Sequence, residues 1–135
     1  MSPKTANIVI VFFNLVGFLL VGYAINDFIT VNSAISARAL EIPYDSGTYY
    51  LFLIAIFWIF TILHWSGILQ TEHKLKRYSS TILVAGFACL LILANGLNYY
   101  VSHHFESAGY IECDDPTEIS RISKGESSIY RLNGC

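Results

Sequence analysis

The sequence predicts an all-α integral membrane protein with three transmembrane helices and a short, disulfide-closed C-terminal tail outside the cytoplasm. Hydrophobic residues make up 54% of its 135 residues and charged residues only 13%, which is too little charge for a water-soluble domain. The apolar residues fall into three long blocks, the distribution that a bilayer requires. We therefore expect a transmembrane domain over residues 1–100 and an extracytoplasmic tail over residues 101–135.

The three spans are predicted at about residues 8–29, 49–69 and 78–100. In the first, the apolar block from Ile8 to Ile25 is interrupted only by Asn14 and covers roughly 27 Å at about 1.5 Å per residue, enough to cross a bilayer. The second carries His64 near its end, and the third carries no charged residue. Aromatic residues typical of the headgroup region mark the span ends: Tyr49, Tyr50, Trp65, Tyr78, Tyr99 and Tyr100.

The connection between the second and third spans is short and basic. It contains Lys74, Lys76 and Arg77 against a single acid, and short basic loops stay in the cytoplasm. Lys4 places the N-terminus on the same side. The charge distribution therefore predicts a multi-pass protein of a bacterial inner membrane with a cytoplasmic N-terminus and a periplasmic C-terminus.

A cleaved signal peptide is the alternative interpretation of the first apolar block. Lys4, the apolar stretch and the small residues Ala37 and Ala39 loosely resemble one. The stretch is longer than the usual apolar region of a signal peptide, and Asp27 separates it from the candidate cleavage site. A retained span fits better, and the tail lies outside the cytoplasm in either case.

The connection between the first two spans, residues 26–48, contains a run of good helix formers from Ser33 to Leu40. This run predicts an extension of the first helix beyond the membrane. Its apolar face of Ile35, Ala39 and Leu40 is small, which favours a helical linker without a partner over a docking element.

The tail changes character, with six acids, three bases and few large aliphatic residues. Residues 119–123 and 127–132 flank a glycine-bearing turn and resemble two short strands, which are too small to be stabilised by burial alone. A disulfide between Cys113 and Cys135 is expected to stabilise them, because the periplasmic side of a bacterial inner membrane is oxidising. Two free thiols are the alternative, and Cys89, inside the third span, is expected to be a small inert hydrophobe.

Few residues in the spans could support catalysis or transport, since buried ionisable groups are nearly absent. Asn14 and Asn95 are expected to hydrogen-bond neighbouring helices, and His64 to lie at the interface. Adjacent His103 and His104 have poor spacing for a metal site. We therefore expect no enzyme activity, no cofactor and no metal, and the balance of 8 basic and 10 acidic residues excludes nucleic-acid binding.

The tail carries a pattern of a Gly-Tyr pair, a cysteine three residues after the tyrosine, a Ser-to-Tyr segment and a closing cysteine. These are Gly109, Tyr110, Cys113, Tyr130 and Cys135. The pattern resembles that of small inner-membrane proteins of enteric and related bacteria, some of which are thought to be immunity proteins. The stretch between Asp114 and Glu126 departs from it, because it lacks the usual basic and aromatic residues.

The resemblance implies a membrane immunity protein that binds and neutralises a membrane-active or periplasmically acting toxin. The alternative is a structural or accessory subunit of a larger membrane transport or envelope complex. The partners expected are thus the lipid bilayer and either a protein toxin or a membrane complex. The residues expected to contact a partner lie in the tail: Tyr110, Glu112, Asp114, Asp115, Glu118 and Tyr130.

Overall fold

Three long helices and a small sheet form the part of the chain that the computed structural model describes, residues 3–66, 78–114 and 127–135. The helices are α1 (Pro3–Ser36), a 3-10 helix (Thr48–Ala55) that continues directly into α2 (Ile56–Trp65), and α3 (Ser79–Ser107). Three segments, Lys4–Ser36, Thr48–Trp65 and Ser79–Ser107, are long and apolar enough to cross a membrane. The prediction of three apolar spans is confirmed at this level of length and composition.

The second apolar segment is long enough to cross a bilayer because its first part is wound more tightly. Eight residues of 3-10 helix rise by about 16 Å and ten residues of α-helix by about 15 Å, so the span covers roughly 31 Å. The same 18 residues would cover only about 27 Å as a pure α-helix. The unusually long 3-10 segment therefore matches the span to the roughly 30 Å of hydrocarbon.

The second span packs between the other two at two glycines. A Cβ placed on Gly17 would lie 3.2 Å from Nε1 of Trp58, and one on Gly86 would lie 2.6 Å from Cδ1 of Ile59. Beside the first of these contacts, Nδ2 of Asn14 donates a 2.7 Å hydrogen bond to Oγ1 of Thr61. The prediction that Asn14 hydrogen-bonds a neighbouring helix is confirmed.

A three-stranded antiparallel sheet lies at one end of the helices, so the all-α prediction is wrong in this part. Its strands are β1 (Glu41–Asp45), β2 (Ile111–Asp114) and β3 (Ser127–Arg131), in the order β1-β3-β2. Tyr130 lies opposite Ile42 in β1 and opposite Glu112 in β2. The predicted strand over 127–132 is confirmed by β3, whereas the one over 119–123 lies outside the described residues.

The end of α1 docks onto this sheet, so the prediction of a linker without a partner is wrong. Helix α1 does continue past its apolar block, as expected, and ends at Ser36, shortly before Arg38 adopts a left-handed φ of 52°. Ile35 is buried in the core cluster and Ala39 packs against it, whereas Leu40 is 69% exposed. The apolar face at the end of α1 is small, and a sheet of only three short strands is enough to cover it.

Helix α3 also continues beyond the predicted end of its span at Tyr100 and ends at Ser107. Val101 and Phe105, on this extension, are fully buried at 0% exposure. We call residues 28–49, 97–114 and 127–135 the head, because the sheet and the helix ends that it covers share one core cluster. The division of the chain between residues 100 and 101 stays a prediction, because helix bounds alone do not define a domain.

Candidate functional site

Aromatic side chains fill the core of the head. The rings of Phe105 and Tyr130 stack with centroids 3.9 Å apart, and Tyr44 meets Phe105 edge-on at 5.7 Å. Tyr110 packs edge-on against Phe105, and Tyr49 is fully buried near Tyr44. Such rings bury a large apolar area with few rotatable bonds, so the core gives the head a defined shape.

Tyrosine hydroxyls tie this core to the backbone and the helices. The hydroxyl of Tyr44 donates to Oδ1 of Asn98 at 2.6 Å, and that of Tyr110 donates to the carbonyl oxygen of Ala39 at 2.7 Å. Burial raises the pKa of Tyr44 well above its usual range. Burial, together with the nearby charge of Glu112, also raises the pKa of Tyr130. Both side chains are therefore neutral structural groups at physiological pH.

A disulfide joins Cys113 in β2 to Cys135, with Cα atoms 5.7 Å apart, a normal separation for such a bond. The predicted pairing is confirmed, and the alternative of two free thiols is wrong. Cys113 is buried and Cys135 is exposed, so the bond ties the chain that follows β3 back to an edge strand. Cys89 is unpaired and exposed on α3.

The residues predicted to contact a partner divide into three groups. Tyr110 and Tyr130 are buried in the core, where their observed contacts are internal. Glu112 and Asp114 are exposed on β2, and Glu112 accepts a hydrogen bond from the hydroxyl of Ser128. Asp115 and Glu118 lie outside the described residues. An acidic edge on β2 is thus the exposed part of the predicted surface, and its contact with a partner stays a prediction.

A polar cavity of about 230 Å³ lies where α1, β1 and β3 meet, at the base of the head. Among the described residues, its lining combines two carboxylates with several hydroxyls and no basic side chain: Tyr23, Asp27, Pro43, Tyr44, Asp45, Thr48, Ser127 and Ser128. In the sequence, Asp27 stands out only as the acid that follows the first apolar block and that disfavours signal cleavage. The site could have been recognised in the sequence from an acid that lies two residues beyond an apolar block, on a helix that continues past that block.

A second, apolar groove of about 370 Å³ lies between α1 and α2, far along α1 from the head. Phe13 and Phe57 stack at 4.8 Å on its wall, and the hydrogen-bonded pair of Asn14 and Thr61 also lines it. This groove faces the region that lipid would occupy. It can accept an acyl chain or the side chains of another helix.

Of the two histidines near the end of α3, His103 is exposed and His104 is half-buried. Nδ1 of His103 lies 3.9 Å from Oε2 of Glu106, and the imidazole rings of His103 and His104 stack on the tyrosines one turn earlier, Tyr99 and Tyr100. Within the described ranges, no group of three or more His, Cys, Asp and Glu side chains is placed to hold a metal ion.

Three membrane-compatible helices with a cross-linked, sheet-bearing head define the class of this molecule, a membrane protein with a small ordered domain at one end. Residues 40–130 match the model of a family described as a protein of unknown function, DUF1240. The match covers well over half of the chain, and the chain belongs to this family. It begins just before β1 and ends in β3. No curated protein and no solved structure matches the chain.

Proposed function

We propose that this chain is an immunity-type protein of the bacterial inner membrane that neutralises a protein toxin by binding it, without catalysing a reaction. The observation that carries the proposal is the cross-linked head, in which the Cys113–Cys135 disulfide closes a sheet over an aromatic core. A surface that is ordered before binding loses less conformational entropy when a partner docks. We propose a toxin as the partner because the tail resembles that of immunity-type proteins.

The orientation proposed for the head is periplasmic. Strand β1 comes from the first connection and β2 and β3 come from the tail, so these two parts of the chain lie on one side, as three crossings require. The basic residues Lys74, Lys76 and Arg77 then favour the opposite side as the cytoplasm. In this orientation the head meets a toxin that arrives through the periplasm.

The acidic edge of β2 supports a contact with a basic partner. Glu112 and Asp114 are exposed on this strand, and neither takes part in the ion pair that joins Glu41 of β1 to Arg131 of β3 at 3.2 Å. Charges at the rim of an interface increase the rate of association more than its affinity. Removing them should slow capture of the toxin while leaving the head folded.

An accessory role in a larger membrane complex is the second candidate, because parts of the helix surfaces are open. A Cβ on Gly22 or on Gly96 would meet nothing within 4 Å, and the groove beside Asn14 is unfilled by the chain. Small residues and grooves of this kind accept neighbouring transmembrane helices. The tests of the two functions differ: protection of cells for the first, and stable co-purification with other membrane subunits for the second.

Survival of toxin-sensitive cells tests the proposal. Cells that express the chain are challenged with the effector encoded beside its gene, and wild type is expected to protect. The double change Glu112→Gln and Asp114→Asn should weaken protection at equal membrane abundance. Cys89→Ser, which alters the unpaired thiol on α3, is the matched control and should protect fully. Equal killing with and without the protein, for every adjacent effector, would contradict the proposal.

A further inference from the structure

An open groove of about 610 Å³ runs along residues 28–37, at the end of α1, beside helix α3. We call it the α1–α3 groove. On the α3 side it is lined by Tyr100, whose ring centroid lies 6.2 Å from that of Phe28 on α1. Phe28 also meets the fully buried Tyr49 edge-on at 6.1 Å. This end of the groove is therefore anchored to the core of the head.

The lining of the groove changes from apolar to polar in the chain direction of α1. Phe28 and Ile29 lie at one end, and Ile29 is 57% exposed. Asn32, Ser33 and Ser36 follow one and two turns later. Among the described residues, the lining contains no acid and no base. A molecule that contacts the whole groove is therefore apolar at one end and polar at the other.

The groove lies where two predicted spans end. The first and third spans are predicted to end at about residues 29 and 100, and Ile29 and Tyr100 both line the groove. From Ile29 to Ser36, α1 rises by roughly 10 Å at about 1.5 Å per residue. The headgroup region is about 5 to 8 Å thick on each side of the hydrocarbon. On these predicted bounds, the polar end of the groove lies beside the headgroups of one leaflet.

The groups at the polar end favour an anionic headgroup. Nδ2 of Asn32 donates to the carbonyl oxygen of Phe28 at 2.9 Å, which uses one of the two N–H donors of the amide. Ser33 is exposed, and so is Arg38, which follows Ala37 of the lining. A phosphate accepts hydrogen bonds from such groups and pairs with a guanidinium. A headgroup ammonium would meet no carboxylate among the described lining residues.

From this polarity, position and charge, we propose that the α1–α3 groove is a binding site for phosphatidylglycerol. One acyl chain lies along Ile29 and Tyr100, and the phosphate and its glycerol lie beside Ser33 and Arg38. The bound lipid ties the end of α1, and the head that packs on it, to the headgroup layer. This site is independent of the proposed toxin binding, because the toxin is expected to contact β2.

Native mass spectrometry of the purified full-length protein tests the proposal with lipids of identical acyl chains. Phosphatidylglycerol should be retained about fivefold more than phosphatidylcholine, since one basic side chain near an anionic headgroup contributes about 1 kcal/mol. Phosphatidylethanolamine should be retained no better than phosphatidylcholine. Arg38→Gln should remove the preference, and Arg38→Lys, which keeps the charge, should retain it. Ser33→Leu should reduce retention of phosphatidylglycerol.

Two matched controls lie outside the groove. Lys4→Gln removes a basic residue near the opposite end of α1, and Ser107→Leu changes an exposed serine at the end of α3. Both should keep the preference, and circular dichroism verifies the helix content of every variant. Equal retention of the lipids by wild type would overturn the proposal, and so would an equal loss in Lys4→Gln, which would indicate general attraction to basic residues. A lipid-free dimer that Ser33→Leu dissociates would also overturn it, because a second copy would then cover the groove.

Discussion

The hydroxyl of Tyr44 donates a 2.6 Å hydrogen bond to Oδ1 of Asn98, and this bond joins strand β1 to helix α3. A similar bond lies nearby, where the hydroxyl of Tyr50 donates to Oδ1 of Asn95 at 3.0 Å, as expected for an amide that bonds a neighbouring helix. The first pair is partly buried and the second is exposed. Two tyrosine–asparagine pairs thus connect separate segments to α3, and they differ mainly in burial.

Tyr44→Phe should reduce the free energy of unfolding by about 1 to 2 kcal/mol, because it leaves Asn98 without its donor in a partly buried setting. Tyr50→Phe removes the same group from the exposed pair and should change stability by less than about 0.5 kcal/mol. Reversible unfolding in mixed detergent, followed by circular dichroism, measures both. A larger loss for Tyr50→Phe would contradict the assigned roles.

Stability should fall in alkali because burial raises the pKa of Tyr44 and Tyr130 in the folded protein. A tyrosine in the unfolded chain ionises near about pH 10, whereas these two keep their protons in the fold. Their contribution is therefore complete below about pH 10 and is lost as the pH rises through the folded-state values. Unfolding measured at pH 8 and pH 11 should show a smaller decrease for Tyr44→Phe than for wild type. Equal decreases would mean that Tyr44 ionises in the folded state as it does in the unfolded chain.

The disulfide should contribute about 3 kcal/mol, since it closes a loop with a sequence separation of 22 residues. Thiol labelling of denatured protein is expected to count one free cysteine, rising to three after reduction. Cys135→Ser should lower the unfolding temperature, and Cys89→Ser should leave it unchanged. Three reactive thiols before reduction would show that the bond is absent in cells.

Gly86→Leu should separate the second and third spans, because a Cβ at this position meets Ile59 at 2.6 Å. Gly96→Leu lies on the same helix with nothing within 4 Å and is the control. Overpacking of this kind typically destabilises by about 1 to 3 kcal/mol, whereas the control should stay within about 0.5 kcal/mol. Unfolding in detergent would measure the difference. A loss for Gly96→Leu alone in lipid, but not in detergent, would instead indicate contact with another membrane protein.

Reporter fusions test the proposed orientation. Alkaline phosphatase joined after Cys135 should be active, and the same enzyme joined after Lys76 should be inactive, because the basic loop is expected in the cytoplasm. A reporter inserted after Arg38 should behave like the one after Cys135, since β1 and β3 pair. Opposite activity at Arg38 and Cys135 would be incompatible with the observed sheet.

The spans and the disulfide could be predicted because their signals are local or compositional. A long apolar block marks each helix. Two cysteines in an acidic tail that lacks a large core indicate a stabilising disulfide. The sheet could not be predicted in this way. Strand β1 is only five residues long and includes Pro43. Its partner β3 lies more than 80 residues further along the chain. Only the pairing itself identifies such a short segment as a strand.

The polar cavity escaped prediction for a related reason. Asp27, Asp45 and Ser128 come from three separate elements, and none is unusual in its own sequence neighbourhood. Tyr110 and Tyr130 were expected to contact a partner because of their place in the tail pattern. Their burial in the core shows that a tyrosine beside a cysteine can be part of the packing instead of the surface.

The strand order β1-β3-β2 determines when the head can form during synthesis. The central strand β3 follows β1, both later spans and β2 in the chain, and both outer strands pair with it. Neither outer strand has its sheet partner until β3 has been made and has crossed to the same side as β1. The disulfide closes later still, since Cys135 follows β3. The head therefore forms only on chains whose three helices are already inserted, and an arrested or misinserted chain would leave β1 and β2 unpaired for quality-control proteases.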